Sequence, residues 1–383
     1  MKRALAVILC AVALTGCKEN PANLFQAGKA AYRREDYAAA LKNFRKAAAQ
    51  GNAVAQSYLG FMYYLGQGVP QDFAEAVKWC HKAAEQGDAM AQNTLASMYD
   101  EGLCVPQDDV EAVKWLRKAA EQGYTWAQVK LGIRYDEGKG VPQDNVEAVK
   151  WYRKAAEQGN AQAQNNLGFI YDNGQGVTKN VAEAIKWYRR AAEQGNVVAQ
   201  SNLGVMYENG QGVTKDDAEA IKWYRKAAEQ GDADAQSNLG TMYAKGQGVP
   251  QNYKEAVKWY RKAAEQWKAW TQSHLGLMYA TGEGVSQDYG EAAKWYRKAA
   301  EQGNEWGQSY LGLIYYEGQG VPKDYVLAHM WVNLAIANLP PEVNVAAELR
   351  DVLERGMTKE QIAEAQRLAR EWKPKVVETK EKK

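Results

Sequence analysis

Residues 159–194 read GNAQAQNNLGFIYDNGQGVTKNVAEAIKWYRRAAEQ, and this pattern returns every 36 residues along the chain. Counted from the residue that opens each copy, the ninth residue is Leu in all eight copies, from Leu59 to Leu311. The thirteenth is always Tyr, from Tyr63 to Tyr315, and the twenty-ninth is always Trp, from Trp79 to Trp331. Self-similarity at a fixed period predicts a repeat array.

Each copy predicts two helices. The first covers repeat positions 3 to 15, and the Gly-x-Gly-Val stretch after it supplies glycines that tolerate positive φ. Asp72 then has the place of an N-cap, and Glu75 three residues later completes the pattern of a capping box. The second helix has alanines and Trp on one side and charged residues on the other. A hairpin of this kind buries its apolar side only against its neighbours, which predicts an all-α solenoid of antiparallel helix pairs. The Asp-x-x-Glu pattern recurs at Asp108 and Glu111, Asp144 and Glu147, and Asp216 and Glu219.

Leu-Gly-x-x-Tyr, Gly-x-Gly-Val and Ala-x-x-Trp-Tyr-x-Lys-Ala-Ala-x-Gln-Gly together resemble the Sel-one-like repeat, a relative of the tetratricopeptide repeat. The resemblance covers eight repeats in residues 51–338. It implies a right-handed α-solenoid whose first helices line the concave side. Residues 24–50 lack the Gly-x-Gly-Val insertion and resemble a plain tetratricopeptide hairpin. Residues 339–372 predict two capping helices, and the second begins with a capping box at Thr358. Residues 373–383 predict a disordered basic tail.

The N-terminus resembles that of a bacterial lipoprotein. Lys2 and Arg3 precede an apolar run, and Leu14-Thr15-Gly16-Cys17 is similar to a lipobox. The resemblance implies a signal peptide at 1–16, lipidation of Cys17 with palmitate among the acyl chains, and a linker at 17–23. With Lys18 next, it also implies an outer-membrane protein of the cell envelope that faces the periplasm. Plain secretion and a short signal anchor are the alternatives.

Several function classes are disfavoured by the composition and the motifs. Lys and Arg number 48 against 46 Asp and Glu, so the chain has no cationic excess for neutralising phosphates. The three His residues are far apart, and no metal motif, Ser-x-x-Lys or dinucleotide fingerprint occurs. We therefore expect a monomeric protein that is not an enzyme and needs neither cofactor nor metal. Cys80 and Cys104 fall in a helix and in the next repeat's loop, so we expect them not to pair.

A candidate binding surface is formed by repeat positions 4, 8, 11 and 15. They fall within about 60° of each other on the first helix and vary between repeats. Aromatic residues supply anchoring area, and an asparagine ladder supplies donors and acceptors for a peptide backbone. We predict a concave groove that binds a peptide or a helix of a protein partner. Alternatively, these aromatics pack against the neighbouring repeat. The candidate residues are Tyr58, Phe61, Trp126, Asn166, Asn202, Asn238, Trp270, His274, Trp306 and Tyr310.

Two further features stand out. Carboxylates lie near the end of four first helices, where they oppose the helix dipole. Either they pair with Lys or Arg of a neighbouring helix, or they form an acidic ridge for a basic partner. Trp267 replaces the Gly that opens the other repeats. A bulky residue is strained at positive φ, so we expect a changed turn that joins Trp267 to Trp270 in one aromatic patch. The four carboxylates are Asp100, Asp136, Asp172 and Glu208.

The sequence thus predicts a lipid-tethered repeat scaffold that binds a protein or peptide partner in the cell envelope. One alternative is an envelope hydrolase of the β-lactamase or peptidoglycan type. Another is a binder of cell-wall glycan that uses Trp270 and Trp306 as stacking platforms.

Overall fold

The computed structural model of the chain describes residues 19–338 and 345–375. The predicted signal peptide and the lipid site at Cys17 lie outside the described residues. Those residues form two compact units, one up to Trp187 and one from Tyr188, and each is described by itself. Throughout them the secondary structure is helical and consecutive helices pack in pairs, so the predicted all-α solenoid of helix pairs is confirmed.

The helices of the described residues are α1 (Pro21–Arg33), α2 (Tyr37–Ala49), α3 (Ala53–Leu65), α4 (Phe73–Glu85), α5 (Ala89–Glu101), α6 (Asp109–Glu121), α7 (Thr125–Glu137), α8 (Asn145–Glu157), α9 (Ala161–Asn173), α10 (Val181–Glu193), α11 (Val197–Asn209), α12 (Asp217–Glu229), α13 (Ala233–Lys245), α14 (Tyr253–Glu265), α15 (Ala269–Thr281), α16 (Tyr289–Glu301), α17 (Glu305–Glu317), α18 (Tyr325–Ile336), α19 (Val345–Gly356) and α20 (Lys359–Glu371).

The first helix of a repeat begins and ends where the sequence predicts. In α3, the Asn52 side chain accepts a hydrogen bond from the N–H of Ala55 at 2.8 Å. The helix ends at Leu65, because Gly66 adopts the left-handed conformation with φ of 70°. These bounds are repeat positions 3 to 15, so the prediction is confirmed.

The second helices have the predicted Asp N-cap, but the predicted capping box is only half formed. The Asp72 carboxylate accepts from the N–H of Glu75 at 3.0 Å. The N–H of Asp72, however, donates to the carbonyl of Tyr63 at 3.0 Å. The Glu75 carboxylate binds Lys78 and Trp79 instead of returning to the cap. The prediction was wrong because the preceding helix already supplies an acceptor. The bond to a Tyr carbonyl recurs at Asp108, Asp144 and Asp216.

The residues that define the repeat form its core, as the second unit illustrates. Leu239 is fully buried. Tyr224 packs so closely over Gly204 that a Cβ there would lie 2.5 Å from its ring. Tyr243 accepts a hydrogen bond from Arg225 of the preceding helix pair at 2.6 Å. The Tyr224–Gly204 contact packs the two helices of one hairpin together, and the Arg225–Tyr243 hydrogen bond joins that hairpin to the next.

A buried glutamine ladder that was not predicted from the sequence also joins the hairpins. Gln128 is only 3% exposed. Its amide donates to the carbonyl of Ala120 at 3.1 Å and accepts from the amide of Gln158 at 2.7 Å. The second unit repeats both bonds at Gln236. The signal was present in the sequence, because repeat position 6 is always Gln.

Helices α19 and α20 pack against the last repeat. His329, fully buried in α18, hydrogen-bonds Glu354 of α19 at 3.0 Å. Trp372 contacts the edge of Trp331 with 6.0 Å between ring centres. The capping box predicted at the start of α20 is confirmed, with both of its hydrogen bonds present.

Cys80 and Cys104 are both free thiols, which confirms that they do not pair. Cys80 is buried in α4, and this burial raises the pKa of its thiol to about 12. Cys104 is exposed in a turn where the other repeats have Gly, and it adopts a positive φ of 53°.

Trp267 keeps the same turn as the glycines of the other repeats, so the predicted change of the turn was wrong. Its φ is 66°, and its N–H donates to the carbonyl of Ala264 at 3.2 Å, as Gly does in other repeats. The expected patch with Trp270 is also wrong, because the Trp270 ring contacts His274 and Tyr260 instead. The reason is open space: a Cβ at the equivalent Gly159 would have no heavy atom within 4 Å. Trp267 therefore meets backbone strain but no clash.

Trp267→Gly is expected to raise the free energy of unfolding by about 1 kcal/mol, because it removes the left-handed strain of an L side chain. The Trp267 ring is 52% exposed, so little burial is lost. Urea denaturation measures the change. Trp267→Ala is the control, since it keeps the Cβ and the strain. A Gly variant no more stable than the Ala variant would contradict the prediction.

Candidate functional site

The variable positions of the first helices carry exposed tryptophans. Trp126 is 55% exposed, Trp270 43% and Trp306 37%. Trp126 belongs to the first unit and has no ring contact with another aromatic among the described residues. Trp270 and Trp306 belong to the second unit, on α15 and α17.

An aromatic cleft lies between α15 and α17. It encloses about 330 Å³. Four of the predicted groove residues thus come together at one site, in an arrangement suited to an apolar group. The aromatic cleft is lined by Trp270, Ser273, His274, Leu277, Trp306 and Tyr310.

Two pairs of aromatic residues at helical i, i+4 spacing form the walls of the aromatic cleft. Trp270 and His274 lie with their ring centres 3.7 Å apart. Trp306 and Tyr310 face each other at 6.3 Å, and Tyr310 also stacks on Tyr296 of α16 at 5.1 Å. Each wall is therefore supported by packing beneath it.

The orientation and charge of His274 are set by its surroundings. Its Nδ1 donates to the carbonyl of Trp270 at 3.1 Å. Burial lowers the pKa of His274, and the positive charge of Lys245 acts in the same direction. An imidazole with a lowered pKa is neutral at pH 7. His274 thus contributes an uncharged ring to the aromatic cleft.

Ser273 is the small polar residue in the lining of the aromatic cleft. Ser273 is buried, and its hydroxyl donates to the side chain of Asn304 at 2.5 Å. Asn304 also caps α17 by accepting from the N–H of Gly307 at 2.8 Å. These bonds fix the start of α17, and with it Trp306, relative to α15.

A polar depression of about 300 Å³ adjoins the aromatic cleft, and Trp270 is common to both. Lys268 and Asp234 form an ion pair of 2.7 Å at its side. Ser237 and Thr271 hydrogen-bond each other at 2.9 Å. The predicted Asn238 is also part of its lining. An apolar recess therefore lies directly beside charged and amide groups.

The asparagine ladder is partly used inside the protein. Within the first unit, hydrogen bonding by the Asn166 amide acts to lower the pKa of the Tyr152 hydroxyl. Within the second, Asn238 acts in the same way on Tyr224. Burial raises the pKa of both tyrosines. Asn202 is half-buried. Part of the amides' hydrogen-bonding capacity therefore serves packing.

Tyr58 is half-buried and packs against the core of the first unit. Its ring stacks on Phe44 at 4.9 Å and meets Phe25 and Tyr32 edge-on at 5.7 Å. Tyr58 therefore packs against the neighbouring hairpin, as the alternative proposes, and its role as a groove residue stays a prediction. Phe61 is half-buried.

Two of the four carboxylates predicted as a possible acidic ridge have partners within the protein. In the first unit, Asp100 pairs with Arg134 and with Lys139. Burial raises the pKa of Asp136. In the second unit, Glu208 accepts from the hydroxyl of Tyr224 at 2.7 Å. Asp100 therefore pairs with basic residues of the protein itself, which is the first of the two predicted alternatives.

The remaining carboxylate, Asp172, is half-buried. Within residues 19–338 and 345–375, no three His, Cys, Asp or Glu residues are grouped so as to hold a metal ion. None of the helices in those ranges is long and apolar enough to cross a membrane.

The chain matches the family model described as the Sel1 repeat in nine segments. The first of them covers the hairpin for which the sequence suggested a plain tetratricopeptide unit, and a gap between two of them contains Trp267 and Trp270. The matched segments are 22–52, 53–88, 89–124, 127–160, 161–196, 197–232, 233–266, 271–304 and 307–338.

Two solved structures are similar over most of the chain. One is c5321, a protective antigen present in uropathogenic Escherichia coli strains that displays an SLR fold; it is 36% identical, with 92% of this chain and 91% of that chain covered and a TM-score of 0.52. The other is a Sel1 repeat protein from Oxalobacter formigenes, 32% identical, with 88% and 95% covered and a TM-score of 0.62. A comparison with curated proteins finds no match.

Proposed function

We propose that this chain, which belongs to the Sel1 repeat family, is a scaffold that holds an extended peptide segment of a protein partner in the aromatic cleft. The observation that carries the proposal is the cleft itself. Trp270, His274, Trp306 and Tyr310 surround an apolar recess at positions that vary between repeats. Aromatic side chains of this kind are the commonest anchors of protein recognition.

The dimensions favour an extended peptide over a helix. A recess of about 330 Å³ accommodates one or two side chains, whereas a helix needs a continuous groove. The polar depression beside Trp270 then faces the residues that follow along the peptide. There the Lys268–Asp234 ion pair interacts with charged side chains of the peptide. The remaining hydrogen-bonding groups of the Asn238 amide bind the peptide backbone.

Trp306→Ala is expected to weaken binding of a peptide selected on the native protein about 30-fold, the effect of losing a central aromatic anchor. Trp270→Ala should cost about as much, since it removes the wall shared with the polar depression. A random peptide library supplies the probe, and calorimetry measures the dissociation constants.

Trp126→Ala is the matched control, because Trp126 has the same repeat position and is more exposed, but lies outside the aromatic cleft. An equal loss for all three variants would contradict the assignment of the site. Retention by purified sacculi that depends on Trp306, with no peptide selected, would replace the proposal with glycan binding.

The proposed place of action is the bacterial cell envelope, with the chain tethered by a lipid on Cys17 and facing the periplasm. The support is the charged start, the short apolar run and the small residues before Cys17. The relative from E. coli is a protective antigen, and exposure of this chain at the envelope would agree with that description.

Cys17→Ser is expected to move the protein from the membrane fraction to the soluble fraction and to abolish palmitate labelling, because the acyl chains supply the tether. Cys104→Ser is the control, since Cys104 is an exposed cysteine without a lipobox before it. Membrane retention or labelling of the Cys17→Ser protein would contradict lipidation.

A further inference from the structure

We propose that residues 376–380 of this chain bind in the aromatic cleft and the polar depression beside it, as an intramolecular occupant that a partner must displace. The inference rests on the proposed function, since it assumes that the two recesses bind an extended peptide. Three observations support it: where the preceding residues lie, the order of the two recesses, and the chemistry of the segment.

The chain that precedes this segment returns from α20 to the end of α16. The N–H of Lys375 donates to the carbonyl of Glu301 at 2.7 Å. The Lys375 ammonium pairs with the Glu301 carboxylate, also at 2.7 Å. A Cβ at Gly303 would lie 3.7 Å from the side chain of Pro374. Lys375 is therefore held at the turn that leads directly into α17 and Trp306.

The two recesses follow one another from this point. The aromatic cleft lies between α17 and α15, and the polar depression lies between α15 and α13. Neighbouring packed helices are about 8–10 Å apart. Five extended residues span about 17 Å. Five extended residues after Lys375 are therefore long enough to pass α17, reach the aromatic cleft and continue to the polar depression.

The residue types of the segment match this order. It reads Val376-Val377-Glu378-Thr379-Lys380. Two valines suit the apolar aromatic cleft. Glu378 and Lys380 then meet Lys268 and Asp234, with each charge facing its opposite.

Attachment to the same chain makes a weak interaction sufficient. A short tether gives a local concentration of about millimolar, so that even a modest intrinsic affinity leaves the recesses mostly occupied. A partner peptide must then displace the segment, so its apparent affinity is reduced by the fraction of chains in which the recesses are free. Release of the segment would open the site.

The test begins with the purified full chain carrying benzoylphenylalanine at position 377. Irradiation is expected to give crosslinks within one chain to residues of the aromatic cleft, mapped by mass spectrometry. The double variant Glu378→Lys, Lys380→Glu should lower the yield of these crosslinks. Adding Lys268→Glu and Asp234→Lys to that variant should restore the yield. Crosslinks elsewhere in the chain, or no crosslinks, would overturn the proposal.

A second measurement leaves position 377 free of the probe. The double variant Val376→Ser, Val377→Ser is expected to bind a library-selected peptide about tenfold more tightly than the native chain and to shift the fluorine resonance of labelled Trp306 but not of Trp126. Equal affinities and unchanged resonances would overturn the inference and leave the proposed function intact. If no peptide binds either protein, the proposed function fails, and the crosslinks alone decide where the segment lies.

Discussion

Gly140→Ala is expected to lower the free energy of unfolding of the first unit by about 3 kcal/mol, the range of backbone strain combined with overpacking. Gly140 is the second glycine of a Gly-x-Gly turn and has a φ of 74°. A Cβ there would lie 2.2 Å from the carbonyl oxygen of Asp109 and 2.6 Å from its carbonyl carbon. Since both atoms are backbone, relief requires two hairpins to move apart.

The repeat that contains Cys104 limits the size of this effect. Cys104 occupies the same turn position and keeps a positive φ of 53°. A Cβ can therefore be accommodated when the surrounding turn adjusts, which places the expected cost at a few kcal/mol and not at loss of the fold.

Gly159→Ala separates the clash from the strain. Gly159 has a φ of 90°, but a Cβ there would meet no heavy atom within 4 Å. Its substitution should cost only about 1 kcal/mol, the strain of the left-handed region alone. Urea denaturation of both variants measures the difference. Equal costs would mean that the close approach at Asp109 does not constrain the fold.

Arg134→Ala is expected to cost about 3 kcal/mol, because it leaves carboxylates without their buried partner. Arg134 stands where neighbouring repeats of the first unit have Met98 and Ile170. It is only 8% exposed, and its guanidinium pairs with Asp100 and, at 3.5 Å, with Asp109. Sequence patterning alone would assign this position to apolar packing.

A double-mutant cycle tests whether the charges are needed for stability. Arg134→Met restores the apolar side chain of the other repeats but leaves Asp100 partly buried with Lys139 alone. Arg134→Met combined with Asp100→Asn should be less destabilising than Arg134→Met, since no uncompensated charge remains at Asp100. A double variant with the summed cost of the two single variants would show that the pair is not coupled.

The same cluster predicts how stability depends on pH. Burial opposes ionisation of Asp100, but hydrogen bonds and charge from Arg134 and Lys139 outweigh it and hold the pKa of Asp100 below its ordinary value. A depressed folded-state pKa gives stability that is present above the unfolded value of about 3.9 and is lost as the pH falls through the folded value. Asp100→Asn should therefore reduce the loss of stability below about pH 4 in acid titrations.

The sequence alone determined the helices, because their signals are local. Asn52 and Asp72 cap the helices that follow them, and Gly66 ends the helix before it. A 36-residue period with invariant Leu, Tyr and Trp then requires neighbouring hairpins to bury one another. The predicted helix bounds were correct for these reasons.

The tertiary structure decided which partners the polar groups between those helices find and which backbone conformations the turns adopt. The N–H of Asp72 bonds Tyr63 across the turn, and Trp267 keeps a left-handed backbone because the space around it is open. Neither outcome is visible in a window of neighbouring residues, since each depends on atoms brought near by folding.

The candidate site shows the same division. Tyr58 and Tyr310 occupy the same variable repeat position, so the sequence predicts the same role for both. Phe25 of α1 packs edge-on against Tyr58, whereas Tyr310 lines the aromatic cleft with Trp306. Helical periodicity determined which residues share a face of the first helices. The size of the side chains on the adjacent hairpin decided which part of that face is filled and which part stays open to a ligand.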